Sequence, residues 1–339
     1  MIKYSAQFVK FKEREKFMKK IISIAMVLAL VLACGAFADE KAGMPGGTKL
    51  IFTTGGAQGT YYGFGGVLAG KVGEKTSTTI TAITSGGSKA NLEAMDDGDA
   101  QLAFTQSDVG AYAYRGTRLF DYKITDFSTV ANLYMEQVQI VTLNPNIRTV
   151  ADLKGKNVSV GAAGSGVYFN AVDLLNVYGL DIDKDIKPTY QSFGDSVEAL
   201  QDGKIDAAFI VAGAPTTAVT SLATTKKIYL VGVDDEHILA LRSVSPYYDK
   251  NVIMKEVYNT DEDVFTVAVG AVVVARDDVS EADVYNFLYG VFENKDEIAA
   301  AHAKGADLDL NFAASYIAVP YHKGAVKYFS EKGIKVSGK

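Results

Sequence analysis

The sequence predicts an α/β protein with two similar lobes, joined by a hinge that the chain crosses twice. Strand patterns alternate with helical patterns along residues 49–339, and this alternation is typical of largely parallel sheets. One part of the chain is echoed later in the sequence. The final segment, residues 264–339, has no counterpart in the echo, and we expect it to return to the first lobe.

The strand patterns are short and mostly apolar. They lie at residues 50–53, 79–83, 101–105, 138–143, 157–160, 207–211, 228–231 and 265–275. Helical patterns lie between most of them, for example at 88–97, 168–178 and 196–202. Ligands of open α/β sheets bind beyond the carboxyl ends of the strands. The turns that follow these strands are therefore the first candidates for a functional site.

The echo relates two helix–strand units. The segment LEAMDDGDAQLAF at 92–104 matches VEALQDGKIDAAF at 197–209, so that a helix ends at Gly98 or Gly203 and a strand follows. A glycine just past the last helical residue is a common helix C-terminus. A second pair of segments, GTYY from Gly59 and GVYF from Gly166, repeats in the same order. Two echoes in one order indicate two similar lobes.

We assign residues 49–136 and 245–339 to lobe 1, and residues 137–244 to lobe 2. The crossings are expected near 137–143 and near 241–248. A hinge of this kind allows two lobes to close around a ligand.

Residues 1–38 have the pattern of a secretory signal peptide. A basic segment begins at Met18, an apolar run follows at 21–33, and AFA at 36–38 forms a cleavage site. The run is shorter than the roughly 20 residues that span a membrane. We therefore predict export to the periplasm, with Met18 as the true start and a flexible linker at 39–48.

Cys34 is the only cysteine of the chain, and it leaves two alternatives open. The preceding Leu32-Ala33 resembles a lipobox, which would place a lipid anchor on Cys34. Cleavage after Ala38 would instead remove the cysteine with the leader. In that case the exported chain could form no disulfide and perform no thiol chemistry.

Charge and motifs argue against several functions. The formal net charge is −6, and residues 1–38 carry seven Lys or Arg but only two Asp or Glu, so the remainder is more acidic still. Such a protein is a poor candidate for nucleic-acid binding. The glycines at 55–59 lack G-x-G-x-x-G spacing, and GGVLAGK at 65–71 lacks the Ser or Thr that completes a P-loop.

Metal binding and catalysis also lack support in the sequence. The three histidines, His237, His302 and His322, do not have the spacing of metal ligands. Neither G-x-S-x-G nor S-x-x-K, two common signatures of serine nucleophiles, occurs. We predict no cofactor, no metal and no enzymatic activity.

Polar, glycine-rich turns precede several predicted helices. They are TTGGAQGTYY at 53–62, TSGGSKAN at 84–91, TQSD at 105–108 and AGSG at 163–166. Helix N-termini present unpaired N–H groups and the positive end of the helix dipole, and so bind carboxylates or phosphates. The hydroxyls of Thr60, Ser88 and Ser165 would add donors, with Ser88 as an N-cap.

Together these turns resemble those of the TAXI class of TRAP-transporter solute receptors. DLKGK at 152–156 and VAGAP at 211–215 extend the resemblance, which covers about residues 49–293. The resemblance implies a periplasmic-binding-protein (type II-like) fold without catalysis. It also implies a small organic anion as ligand, either a glutamate-like amino acid or a dicarboxylate such as 2-oxoglutarate. The partners would be TRAP membrane permease subunits, and we expect a monomer.

The resemblance and the position of the turns together indicate the ligand-binding residues. They are Gly59, Thr60, Tyr61, Ser88, Asn91, Gln106, Ser107, Asp108, Gly164, Ser165, Gly166 and Phe193. Asp108 either accepts a ligand ammonium group or only caps the following turn, and both roles remain open.

Two residues, Gln58 and Val167, depart from the family pattern, so the ligand identity also stays open. A secreted enzyme or a ligand-sensing protein on the same two-lobed scaffold is the alternative function.

Overall fold

The computed structural model describes Met18 and residues 41–339, of which residues 43–339 form one compact unit. The predicted signal peptide, with Cys34, lies outside the described residues except for Met18. Within the described part of the chain, no helix is both long and apolar enough to cross a membrane.

Strands and helices alternate through the compact unit. The strands are β1 (Lys49–Thr53), β2 (Thr79–Ile83), β3 (Leu102–Gln106), β4 (Phe127–Thr142), β5 (Asn157–Ser159), β6 (Lys187–Thr189), β7 (Ala207–Ala212), β8 (Tyr229–Val231), β9 (Asp249–Ile253) and β10 (Val264–Arg276). The helices are α1 (Thr60–Lys75), α2 (Ser88–Asp96), α3 (Ser107–Arg115), α4 (Gly166–Val177), α5 (Phe193–Gln201), α6 (Thr217–Thr225), α7 (Asp235–Val244), α8 (Glu281–Phe292), α9 (Lys295–Ala301), α10 (Leu310–Ala313) and α11 (Lys323–Glu331). Every predicted strand and helix overlaps one of these. The sequence prediction missed β6, β9 and the first half of β4.

The described strands form one sheet with two equivalent ends. Its order is β2-β1-β3-β10-β4-β7-β5-β6, with β8 paired to β4 and β9 to β10. At one end β1 is parallel to β2 and β3, and at the other end β5 is parallel to β6 and β7. The long antiparallel strands β4 and β10 lie between these triplets. This repeated order is the two-lobe architecture that the echo predicted.

The two long strands carry the chain between the triplets. β4 pairs with β10 up to Gln137 and with β7 from Gln137 onward, so the first crossing lies at the edge of the predicted 137–143. Val267 packs with the apolar residues of the second lobe, whereas Ala271 packs with those of the first. Packing therefore favours a second crossing inside β10 rather than at 241–248. The lobe boundaries stay a prediction.

The echoed helices end at left-handed glycines, as predicted. Gly98 and Gly203 have φ of +88° and +68°, a region that glycine adopts at little steric cost. Their N–H groups donate to the carbonyls of Met95 (3.1 Å) and Leu200 (3.1 Å). Each glycine thus stops its helix and directs the chain into the next strand.

The C-terminal segment packs against the β1 triplet. Phe287 of α8 contacts Phe52 of β1 edge to face, with 6.1 Å between ring centroids. Phe52 in turn stacks on Phe104 of β3 at 5.0 Å. These rings bury large apolar areas and favour such geometries, so they fix α8 on the β1 triplet.

The start of the compact unit is tied to α8. The Met44 N–H donates to Asn286 Oδ1 (2.6 Å), and Asn286 Nδ2 donates to the Met44 carbonyl (2.9 Å). The Thr48 N–H donates to Asp283 Oδ1 at 2.8 Å. Residues 44–48, predicted as part of a flexible linker, are therefore anchored, because their backbone groups bond to buried side chains of α8.

Candidate ligand-binding site

A cavity lies where the glycine turns of the two lobes meet, with a volume of about 590 Å³ including its mouth. The first lobe contributes the turns after β1 and β2 and the end of β3, and the second lobe contributes the turns after β5 and β6 and the end of β7. The carboxyl ends of both parallel triplets converge here, where α/β topology places a binding site.

Most of the predicted ligand-binding residues line this cavity. They are Gly59, Thr60, Tyr61, Ser88, Gln106, Ser165, Gly166 and Phe193. The structure thus brings together residues that are far apart in the sequence and belong to both lobes.

Four of the predicted residues do not line the cavity. Asn91 donates through Nδ2 to the carbonyls of Thr54 (2.7 Å) and Phe104 (2.8 Å). It thereby holds the turn after β1 against β3. Ser107 accepts a hydrogen bond at Oγ from the Gly270 N–H (2.9 Å).

The other two make contacts between the lobes. The Gly164 carbonyl accepts from the Ala90 N–H at 3.1 Å. Asp108 is fully buried, and its Oδ2 accepts from Asn170 Nδ2 of α4 at 3.1 Å. Asp108 is not among the residues that line the cavity.

Three helices begin at the cavity without a side-chain cap. The N-cap residues of α1, α2 and α4 are Gly59, Gly87 and Ser165, and none accepts a capping hydrogen bond on its side chain. Ser88, predicted as an N-cap, is the first residue of α2, and its Oγ accepts from the Gln106 N–H at 3.1 Å. The cap position is occupied by Gly87, whose φ of +103° is a conformation that glycine adopts at little steric cost. The uncapped N–H groups and dipole ends favour a bound anion.

Four buried polar atoms of the lining lack a hydrogen-bond partner. They are Tyr61 Oη, Gln106 Oε1, Glu136 Oε2 and Ser165 Oγ. Buried polar groups in proteins are nearly always paired, and leaving one unpaired costs about 1–3 kcal/mol. Four such atoms at one cavity mark the positions where the polar groups of a ligand would be received.

Glu136 is the residue of the site that the sequence analysis missed. It is 1% exposed and lies in β4 opposite Val269 of β10, next to the first crossing. Burial raises the pKa of its carboxyl group well above the usual range, and the side chains of Tyr61 and Gln106 oppose that shift only in part. One signal was present in the sequence, because Glu136 is the only charged residue of the strand FSTVANLYMEQVQIVT.

The lobes are in contact around the cavity. Thr60 Oγ1 donates to the Gly213 carbonyl at 2.8 Å, and the Ala218 N–H donates to the Gln58 carbonyl at 3.2 Å. At Gly166 a Cβ would lie 2.0 Å from Gln106 Oε1, so a larger residue there would displace the Gln106 side chain. The structure therefore describes a closed arrangement of the lobes.

The sheet order, the crossings and the cavity define the two-lobed fold of periplasmic solute-binding proteins, which confirms the predicted fold class. The chain belongs to the NMT1-like family, whose model matches residues 52–333. MatC from Rhodopseudomonas palustris with bound malate is similar in structure, with a TM-score of 0.54 and 14% identity over 78% of this chain and 90% of MatC.

Two further structures are similar at lower TM-scores. One is the periplasmic aliphatic sulphonate binding protein SsuA from Escherichia coli (TM-score 0.45, 19% identity, 85% of this chain and 94% of SsuA). The other is the GluR0 ligand-binding core from Nostoc punctiforme in complex with L-glutamate (TM-score 0.47, 16% identity, 76% of this chain and 99% of that core).

Among the described residues, no group of three or more His, Cys, Asp or Glu side chains is arranged to hold a metal ion.

Proposed function

We propose that this protein is an extracytoplasmic solute receptor that encloses a small organic acid between its lobes. The observation that carries the proposal is the convergence of uncapped helix N-termini and unpartnered buried polar atoms on one cavity.

A carboxylate would be held by backbone and hydroxyl donors. The described lining contains no Lys or Arg, so the positive potential comes from the starts of α1, α2 and α4. Ser165 Oγ and Tyr61 Oη have free hydrogen-bonding capacity beside these helix starts. Oriented donors of this kind bind an anion without a cationic side chain.

Receptor function is favoured over catalysis on this scaffold. The Ser165 hydroxyl lines the cavity, and no His or Lys lies among the described lining residues to take its proton. A serine nucleophile requires a base within hydrogen-bond reach, and Ser165 Oγ has no hydrogen-bond partner, Glu136 included. The second candidate, a secreted enzyme, therefore has no specific observation in its favour.

Delivery to a TRAP-type permease is the finer part of the proposal, together with location in the periplasm. It is supported by the TAXI-like turns at 55–62, 84–91 and 105–108 and by the leader-like pattern of residues 1–38.

The proposal is tested by calorimetric titration of protein refolded to remove co-purified ligand. The panel is L-glutamate, 2-oxoglutarate, malate and succinate. We expect a saturable one-to-one isotherm for at least one acid. Ser165→Ala should weaken it about tenfold, since a hydrogen bond to a charged group contributes roughly 1.5–3 kcal/mol.

The matched control is Ser221→Ala, because Ser221 is exposed on α6, away from the lining, and should leave the affinity unchanged. Absence of binding by every acid of the panel would contradict the proposed ligand class. Heat that continues after saturation, with product formed, would instead establish an enzyme.

A further inference from the structure

Glu136 is placed to contact a ligand directly. Its side chain lines the cavity, Oε2 has no hydrogen-bond partner, and the residue is 1% exposed. It is the only Asp or Glu among the described lining residues. The atom that lacks a partner is therefore also the one acidic atom that a ligand in this cavity would meet.

The surroundings of Glu136 suit a carboxylate but provide no countercharge. The side chains of Tyr61, Gln106 and Tyr134 lie close to it and lower its pKa in part, whereas the charge of Asp108 raises it; none of these side chains forms a hydrogen bond with Oε2. The nearby Lys304 ammonium group lies 5.7 Å from the centroid of the Tyr134 ring and is paired with Asp307 Oδ2 at 2.7 Å. A buried charge without a partner is costly, so an ionised Glu136 needs a cation from the ligand.

The cavity thus has two chemically different sides. One side has the uncapped starts of α1, α2 and α4, which attract a carboxylate. The other has Glu136, which is suited to a positively charged donor. An amino acid in its zwitterionic form carries both groups, whereas the matching 2-oxo acid carries only the first.

We propose that Glu136 is the specificity-determining residue of this cavity, and that it binds the ammonium group of an amino acid and so disfavours the corresponding 2-oxo acid. This inference rests on the proposed function and narrows its ligand class. It replaces Asp108, which lies outside the lining, as the ammonium partner.

Binding would then release a proton. In the empty cavity, burial raises the pKa of Glu136 and favours the neutral carboxyl group. When the ligand ammonium group arrives, the carboxyl proton passes to the buffer and the ionised Glu136 pairs with the ammonium group. Up to one proton is released per ligand bound, and no covalent bond forms or breaks in the ligand.

The first test is calorimetry of the unmodified protein with matched pairs: L-glutamate with 2-oxoglutarate, L-aspartate with oxaloacetate, and L-leucine with 4-methyl-2-oxopentanoate. Within the pair that binds, we expect the amino acid to bind at least about tenfold more tightly, because truncating or replacing one partner of a buried charge pair has large effects. Its observed enthalpy should vary with the ionisation enthalpy of the buffer, as proton release requires. The 2-oxo acid should show no such variation.

The second test compares Glu136→Gln with the matched control Glu198→Gln, a change at an exposed glutamate of α5. Glu136→Gln should lose about tenfold or more in affinity for the amino acid and abolish the buffer dependence. It should retain or gain affinity for the 2-oxo acid. The control should behave as the unmodified protein does.

The outcomes separate the two proposals. Tighter binding of the 2-oxo acid, or an amino-acid preference unchanged in Glu136→Gln, overturns the role of Glu136 and leaves the receptor standing. Absence of binding by every pair contradicts the receptor and, with it, the role of Glu136. If Glu136→Gln does not fold, the buffer dependence of the unmodified protein decides alone.

Discussion

Two of the clusters around buried acids in the described part of the chain differ in what completes them. The Asp108 cluster has several partners within the protein: Asn170 Nδ2 donates to Asp108 Oδ2 (3.1 Å), the Tyr248 hydroxyl donates to Asp173 Oδ2 (3.0 Å), and Arg118 pairs with Asp173. Asp108 Oδ1 and Asn170 Oδ1 have none. The Glu136 cluster leaves its carboxyl group and two phenols without partners. Burial is the same in both clusters, so burial alone does not identify a binding residue.

The comparison teaches how stability and function are divided between neighbouring parts of one cleft. Asp108 lies on α3 of the first lobe, whereas Asn170 and Asp173 lie on α4 of the second, so their bonds hold the lobes together. Groups that bond within the protein stabilise the closed arrangement. Groups kept unpaired are a cost to the folded state, and a ligand can offset that cost.

The largest effect should come from breaking the ion pair of the Asp108 cluster. Arg118→Met would leave Asp173, whose side chain is 1% exposed, without its cation. Removing one partner of a buried pair costs about 3–5 kcal/mol, and the 33% exposure of Arg118 reduces this to roughly 2–3 kcal/mol. Urea unfolding measures the loss.

The control is Arg148→Met, because Arg148 and Glu262 form an exposed pair, with side chains 55% and 65% exposed. Its loss should be at most about 0.5 kcal/mol. Equal losses in the two variants would contradict the assignment of a buried structural pair around Asp173.

The next effect concerns pH. Burial, and secondarily the charge of Asp173, raises the pKa of Asp108 to about 7, above an unfolded value of about 3.9. The folded state therefore binds more protons between these values, and the unfolding free energy falls as pH rises from about 4 to 7. Asp108→Asn should flatten this decline. At pH 8 the unfolding free energy of the variant should exceed that of the unmodified protein by about 1–2 kcal/mol.

The measurement is a series of urea unfolding curves from pH 4 to 8 for both proteins. Burial lowers the pKa of His302 and His322, which acts in the opposite direction but equally in both proteins. Parallel profiles for Asp108→Asn and the unmodified chain would refute the titration of Asp108 in this range.

A smaller effect tests what decides the contribution of a hydroxyl group to stability: a hydrogen bond to the protein, or only its position at the cavity. Thr60 and Ser165 both line the cavity, but only Thr60 donates its hydroxyl to a protein group, the Gly213 carbonyl at 2.8 Å. Thr60→Ala should lower the unfolding free energy by about 1 kcal/mol, and Ser165→Ala should change it by less than about 0.5 kcal/mol. Comparable losses would show that the hydrogen bond of Thr60 to Gly213 does not decide its contribution to stability.

The smallest effect is a gain in stability. Glu136→Gln removes a buried ionisable group that lacks a protein partner, so at pH 8 the unfolding free energy should rise by about 0.5–1 kcal/mol. The matched Glu198→Gln should leave it within about 0.3 kcal/mol. A loss at Glu136 would show that its carboxyl group is already satisfied inside the folded protein.

The sequence predicted the turns that line the cavity, but it did not predict Glu136. Gly59, Gly166 and Ser165 could be placed because glycine turns at the start of helices are local patterns. Glu136 could not, because residues 127–137 of β4 show no simple alternation and because its position at the cavity depends on pairing with β10, more than a hundred residues away.

Asp108 is the opposite case, because it was predicted at the site but does not line the cavity. Its motif TQSD follows a strand at the expected edge of the sheet, yet the rotation of α3 directs the carboxyl group toward Asn170. Asn170 lies 62 residues further along the chain, so the local sequence does not contain this contact.

The place of Glu136 beside the crossing of β4 has a consequence for the order of events during capture. In a rotation of one rigid body against another, points beside the axis travel least and points at the rim travel farthest. The surroundings of Glu136 would change little as the lobes rotate. The Phe193 ring lies 3.4 Å from the Cβ position of Gly59, and these two residues would separate widely. An incoming molecule would therefore meet its inner contact before its outer ones.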